Sequence, residues 1–159
     1  LKLAYIGDGN NVAHSLLLGC SLVGMDISIA SPKGYEPQKE IVELAQNNSL
    51  SSGSQICITH DSEEAVIGAD IVYTDVWASM GQEKEAGQRI KAFADYQVNA
   101  ELFDFANDYA MFLHCLPAHR GEEVTEEIID GPQSFVFEQA ENRLHVQKAV
   151  MALLMGNSL

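Results

Sequence analysis

Leu1-Lys2-Leu3-Ala4-Tyr5-Ile6-Gly7-Asp8-Gly9-Asn10-Asn11-Val12 opens the chain, and a helix-period stretch leads from it to a second apolar segment, Ile27-Ser28-Ile29-Ala30. Leu3 to Ile6 read as a short buried strand followed by a glycine-bearing turn. Val12, Leu16, Gly19, Cys20 and Val23 then recur at spacings of three and four, which predicts one buried helix face that Gly24 terminates. Strand, helix and strand in that order make a βαβ unit, because parallel neighbours need a crossover rather than a tight hairpin.

Outward from this unit the same alternation continues. Ile56 to Ile58, Ile71 to Thr74 and Met111 to Leu113 read as further buried strands. A helix is predicted over Gln38 to Asn48 after Pro37, and another from Asp61, where Glu64 three residues on resembles a capping box. Val146, Val150, Leu153 and Leu154 give the last helix an apolar stripe, with Ala140 and Ala149 predicted to let it approach the sheet closely. The expectation is one α/β domain over residues 1–159: a doubly wound, mainly parallel sheet flanked by helices, Rossmann-like, without repeats or linkers.

Composition narrows the function classes. At 159 residues the chain is long enough to bury about two-thirds of its unfolded surface. Nine basic against 23 acidic residues give a net charge of -14, which repels nucleic acid and anionic lipid. No apolar run approaches the ~20 residues that span a bilayer, so no membrane partner is expected. Cys20, Cys57 and Cys115 show no CxxC spacing, which argues against a disulfide scaffold or a thiolate metal site and fits a reducing cytoplasm. The chain begins inside an apolar strand with no methionine or targeting signal, and so reads as a piece of something longer.

In open α/β sheets the ligand crevice lies beyond the carboxyl ends of the strands. That rule selects Gly7 to Asn11, Asp75 to Glu83, His114 to Gly121, and the last helix around Glu141, Asn142 and Arg143. Gly7-Asp8-Gly9 stands where a dinucleotide fingerprint would, but its third glycine falls at Val12, and Ser31-Pro32 ends the second strand where a ribose-binding acid is wanted. Asn10 and Asn11 offer a helix cap and a ligand contact, one role to each. Asp75 suits an ammonium group or a loop brace, and Trp77 suits a packing anchor.

His114-Cys115-Leu116-Pro117-Ala118-His119-Arg120 is the densest chemical run, although a lone buried cysteine needs a positive neighbour to become a reactive thiolate. His114 and His119 lack a cysteine or carboxylate partner at a recognised ligand spacing, so no metal is expected. Arg120 and Arg143 each offer a planar fork to phosphate or carboxylate, or, for Arg143, to Glu138 or Glu141.

Taken in order, Gly-Asp-Gly-Asn-Asn at 7–11, Asp-Val-Trp-Ala-Ser-Met-Gly-Gln-Glu at 75–83, His-Cys-Leu-Pro at 114–117 and Glu-Asn-Arg at 141–143 resemble the ornithine carbamoyltransferase family, and only its C-terminal half. The resemblance implies that L-ornithine and carbamoyl phosphate are the substrates, citrulline and phosphate the products, and arginine biosynthesis or the urea cycle the setting. It implies an ornithine site of Asn11, Asp75, Ser79 and Met80, with Ser79-Met80-Gly81 as a lid. Cys115, Leu116 and Arg143 would meet carbamoyl phosphate, Cys115 and Arg143 would be catalytic, and Leu116-Pro117 would be cis. No cofactor is implied. The N-terminal carbamoyl-phosphate domain is a missing partner, and the parent enzyme would be a homotrimer or larger. A NAD-dependent dehydrogenase domain and a non-catalytic amino-acid-binding module are the rival readings.

Overall fold

The computed structural model describes residues 1–78 and 85–156. β1 (Lys2–Ile6), β2 (Asp26–Ala30), β3 (Ile56–Thr59), β4 (Ile71–Thr74) and β5 (Met111–His114) form one sheet in the spatial order β3-β2-β1-β4-β5, and each neighbouring pair is parallel. The five predicted strands are these five, each within a residue of its expected bounds. Because β2 and β3 lie to one side of β1 while β4 and β5 lie to the other, the winding reverses between β1 and β4.

Period-two alternation divides the core into two layers. Leu3, Tyr5, Ile27, Ile29, Ile71 and Tyr73 point to one face, where Ala13, Leu17 and Cys20 of α1 (Asn11–Val23) and Ala45 of α2 (Lys39–Ser52) cover them. Ala4, Ile6, Ala30, Val72 and Phe112 point to the other, beneath Ala65 and Val66 of α3 (Ser62–Val66). Phe93 at the end of α4 (Ala86–Phe93), Leu102 and Phe103 of α5 (Ala100–Phe103) and Ile129 of α6 (Glu126–Ile129) complete that layer. Strands buried on both faces explain why the sequence shows continuous apolar runs here.

The local signals at helix ends were sound. Gly24 caps α1 at φ 78°, a conformation glycine adopts without a Cβ penalty, and its N–H donates to the Cys20 carbonyl. Asp61 accepts from the N–H groups of Glu63 and Glu64. The return arm of the expected capping box is relayed. The Thr59 hydroxyl donates to the Glu64 carboxylate and accepts from the Asp61 N–H.

Two expected faces were displaced. On α1 the buried residues are Ala13, Leu17, Cys20 and Ser21, while Gly19 and Val23 are exposed and Val12 and Leu16 are half-buried. The helix serves α2 as well as the sheet: Asn48 donates to the Ser21 hydroxyl and Ser52 to the Ser21 carbonyl, which makes a buried serine tolerable at that interface. The larger displacement is in α7 (Val136–Met155), where Val136 is buried but Val146, Val150, Leu153 and Leu154 face solvent, the last two about 80% exposed (82% and 80%), and Ala140 and Ala149 are exposed too. A 20-residue helix is about 30 Å long and a four-residue strand about 13 Å, so α7 outruns the strand it packs on. The exposed apolar surface thus runs along α7, while Leu116 is half-buried against the core. No helix among the described residues is long and apolar enough to cross a membrane.

Candidate functional site at the carboxyl edge of the sheet

The winding reverses between β1 and β4, the place where open α/β sheets bind ligands above the strands' carboxyl ends. Gly7 to Asn11 form one lip and Asp75 the other. Gly7 takes φ 139° as the chain leaves β1, and its N–H donates to the Ala30 carbonyl. A Cβ on Gly9 would stand 2.2 Å from the Pro37 nitrogen, and the Gly9 N–H donates to the Tyr35 carbonyl at 2.7 Å. The chain's own Tyr35–Pro37 backbone thus occupies the space a pyrophosphate would need above the second glycine of a dinucleotide turn, which counts against the dehydrogenase reading.

Asn10 is the capping asparagine. Its side-chain oxygen accepts from the N–H groups of Val12 and Ala13, while its amide nitrogen donates to Asp75 Oδ2 at 2.9 Å. Asn11 begins the helix with its side chain exposed toward solvent. Asp75, only 6% exposed, is held on its other oxygen by the Val76 N–H at 2.8 Å and by the Cys115 thiol at 2.9 Å. Both cap and carboxylate are therefore fixed before any ligand arrives.

Among the described residues, the Cys115 thiol donates to Asp75 and hydrogen-bonds to no cation. Burial first, and then the hydrogen bond to Asp75 and its charge, push the thiol up to about 12, so at neutral pH it is a hydrogen-bonding thiol rather than a thiolate. Tyr73 beside it is raised to about 12, chiefly by burial, and its hydroxyl accepts from Gln139. Tyr73, His114, Cys115, Gln139, Arg143 and Leu144 line a cleft of about 560 Å³ between β5 and α7, bringing together the two residues expected to be catalytic. Arg143 is exposed and, among the described residues, pairs with neither Glu138 nor Glu141; the latter faces His145 at 3.5 Å.

After His114 the backbone turns sharply. Leu116-Pro117 is cis, as expected, and Leu116 has φ 56°. The Leu116 N–H donates to His114 Nδ1 at 2.8 Å, leaving the ring's Nε2 to face the buried Glu123 at 3.2 Å. Glu123 also lies 3.7 Å from His119 and accepts from the His119 N–H at 2.6 Å. Sequence spacing showed no carboxylate partner for the two imidazoles, but the fold places Glu123 between them. Arg120 is not a free fork either, since it pairs bidentately with Asp130 at 2.7 Å on both arms.

Ser79 and Met80, with the rest of the expected lid, lie outside the described residues. Sequence reasoning missed Arg89. It is buried, donates to Asp8 at 2.9 Å and to the Trp77 carbonyl at 2.9 Å, and stacks over the Tyr35 ring at 4.9 Å. Burial pushes the Asp8 carboxyl up and the Arg89 guanidinium draws it back. A buried carboxylate in the glycine turn demands a cation, but nothing local says that it comes from 81 residues away.

Comparison with known proteins agrees with this fold. Residues 1–154 match the family model for aspartate/ornithine carbamoyltransferase, Asp/Orn binding domain. The chain is 61% identical over 155 residues to the ornithine carbamoyltransferase of Bacillus subtilis, covering 98% of this chain and 49% of that protein. It is 57% identical over 156 residues to that of Carboxydothermus hydrogenoformans, covering 98% and 50%. Among solved structures, the ornithine carbamoyltransferase of Pyrococcus furiosus superposes with a TM-score of 0.95 at 53% identity, covering 100% of this chain and 51% of that one. The chain thus spans about half the length of the curated relatives it matches, and with the family model covering nearly all of it, it belongs to the aspartate/ornithine carbamoyltransferase family as the Asp/Orn-binding domain.

Proposed function

We propose that this chain is the ornithine-binding half of an ornithine carbamoyltransferase, which transfers the carbamoyl group of carbamoyl phosphate to the side-chain amine of L-ornithine once a carbamoyl-phosphate domain completes the cleft. The observation that carries the reading is Asp75, fixed by Asn10 and Val76 at the switch point with the Cys115 thiol 2.9 Å away. It is an acid already oriented to receive an ammonium group. The half-length match to full enzymes supports the two-domain arrangement, and so does the uncovered apolar face of α7.

Asp75 takes the α-ammonium of ornithine. Asn11 takes the carboxylate at the start of α1, where the helix dipole favours an anion. Ser79 and the Met80 backbone close over that end. With both backbone groups engaged, the side-chain amine extends toward Cys115. Such an amine has a reference pKa near 10.4 and must shed its proton before it attacks. Its nitrogen lone pair then forms the new bond to the carbamoyl carbon. The bond from that carbon to the phosphate oxygen breaks, and phosphate departs with the electron pair and, in the end, the proton.

Cys115 orients the amine as a neutral thiol, while the Leu116 carbonyl and Arg143 contact carbamoyl phosphate and Arg143 stabilises the charge on the leaving group. Orientation alone can supply about 7–11 kcal/mol of barrier reduction in favourable cases. The parent assembles as a homotrimer or larger in the cytoplasm, with no nucleic-acid or membrane partner; three free cysteines suit that compartment.

Calorimetric titration of the chain with L-ornithine tests the reading, with L-aspartate and NADH as controls. Ornithine binding that disappears in Asp75→Ala is the expected result. No ornithine binding even after the carbamoyl-phosphate domain of a relative and carbamoyl phosphate are added would overturn it.

A further inference from the structure

The turn after the cis peptide gathers more ligating groups than the proposed reaction uses. One atom each of His119, Glu122 and Glu123 lie within 4.8 Å of one another. Glu123 is the anomaly. Its side chain is fully buried, and its two oxygens are served unequally. Oε1 accepts from the His119 N–H at 2.6 Å and faces His114 Nε2 at 3.2 Å, whereas Oε2 has no hydrogen-bond donor among the described residues. A buried carboxylate oxygen without a partner is costly, and native folds seldom leave one.

His119 Nδ1 lies 3.7 Å from Oε2, too far for a hydrogen bond and close to the spacing of two ligands on one ion: tetrahedral bonds of about 2.1 Å set ligand atoms about 3.4 Å apart. The His119 side chain is 55% exposed, so this corner reaches solvent. Arg120, the adjacent cation, is neutralised by Asp130, and the chain's net charge of -14 favours cations generally. We infer that His119 Nδ1, the Glu122 carboxylate and Glu123 Oε2 form a site for a divalent transition-metal ion, with zinc as the best fit. An imidazole with two carboxylates suits zinc better than calcium or magnesium, which take all-oxygen shells. Bound there, the ion closes the 119–123 turn and pins Leu116–His119 against Glu123, stiffening the segment that carries Cys115 and Leu116.

A rival grouping must be separated from this one, since Asp75, His114 and Cys115 also come within 4.8 Å of one another. His114 Nδ1 already accepts from the Leu116 N–H, and the Asp75 carboxylate already accepts from Asn10, the Val76 N–H and the Cys115 thiol, which favours the outer site. The test is calorimetric titration of the 159-residue chain with zinc chloride in a non-chelating buffer, repeated for His119→Ala, Glu122→Gln and Cys115→Ser, together with cobalt(II) absorption spectra. One ion per chain is expected, bound at least ~10-fold more weakly by the first two variants and unchanged in Cys115→Ser. The cobalt form should show visible d–d bands without sulfur-to-cobalt charge transfer. His119 and Glu122 lie at the surface end of the cluster, and a native far-ultraviolet circular dichroism spectrum confirms that each variant is folded. No binding, binding indifferent to both His119→Ala and Glu122→Gln, or binding that vanishes in Cys115→Ser with a charge-transfer band would each overturn the assignment.

Discussion

Helices α1 and α7 both announce themselves by apolar residues at spacings of three and four, and they meet opposite fates. α1 lies between a sheet face and α2, with Ala13 and Leu17 fully buried. α7 begins against β5 and then leaves it, carrying Leu153 and Leu154 into solvent. A stripe therefore reports that a helix is made to be covered, but not by what.

Substitutions on the two helices and the crevice between them should separate accordingly. Arg89→Ala strands the buried Asp8 carboxyl at the mouth of α1 and should cost about 3–5 kcal/mol in urea denaturation. A loss under 1 kcal/mol would mean that water already reaches the pair. Leu17→Ala removes a fully buried side chain and should cost about 3 kcal/mol.

Cys115 comes next in size. Asp75→Asn removes an acceptor and a negative charge from the thiol, and should speed alkylation of Cys115 at pH 8 about tenfold, near 1.4 kcal/mol, as followed by peptide mass mapping. An unchanged rate would mean that burial alone holds the thiol up. The folded value, about 12, lies above the unfolded value of about 8.5. Its stabilising contribution is therefore complete below about pH 8.5 and fades as pH rises toward 12. Stability that grew over that range would contradict the assignment.

Smallest of all, Leu153→Ala should shift stability by less than about 0.5 kcal/mol in the chain alone. A loss as large as that for Leu17→Ala would show that α7 folds back on its own domain and would erase the contrast with α1. If the loss instead grows several-fold once the carbamoyl-phosphate domain is joined, the contrast is sharpened.

The candidate site was legible in proportion to how local its logic is. Helix caps at Asn10, Asp61 and Gly24 depend on a few neighbouring residues, and the sequence points to each of them, though not to which of Asn10 and Asn11 caps α1. Asn11, Asp75, Cys115 and Arg143 could be named from motifs, because a parallel sheet delivers the residues after its strands to one edge. That Asn10 braces Asp75, or that Cys115 faces a carboxylate rather than a cation, depended on pairings across 65 and 40 residues. Arg89 gave no local signal at all.

By itself, then, the sequence determined the strands, the α/β class and which loops would carry chemistry, because backbone periodicity and turn stereochemistry act over a handful of residues. The tertiary structure alone decided which helix faces are covered, which ion pairs are buried, that Glu123 sits between two histidines, and that the Cys115 thiol is raised. Burial and Coulomb interactions depend on distance through space, and a sheet ordered 3-2-1-4-5 sets those distances independently of position along the chain.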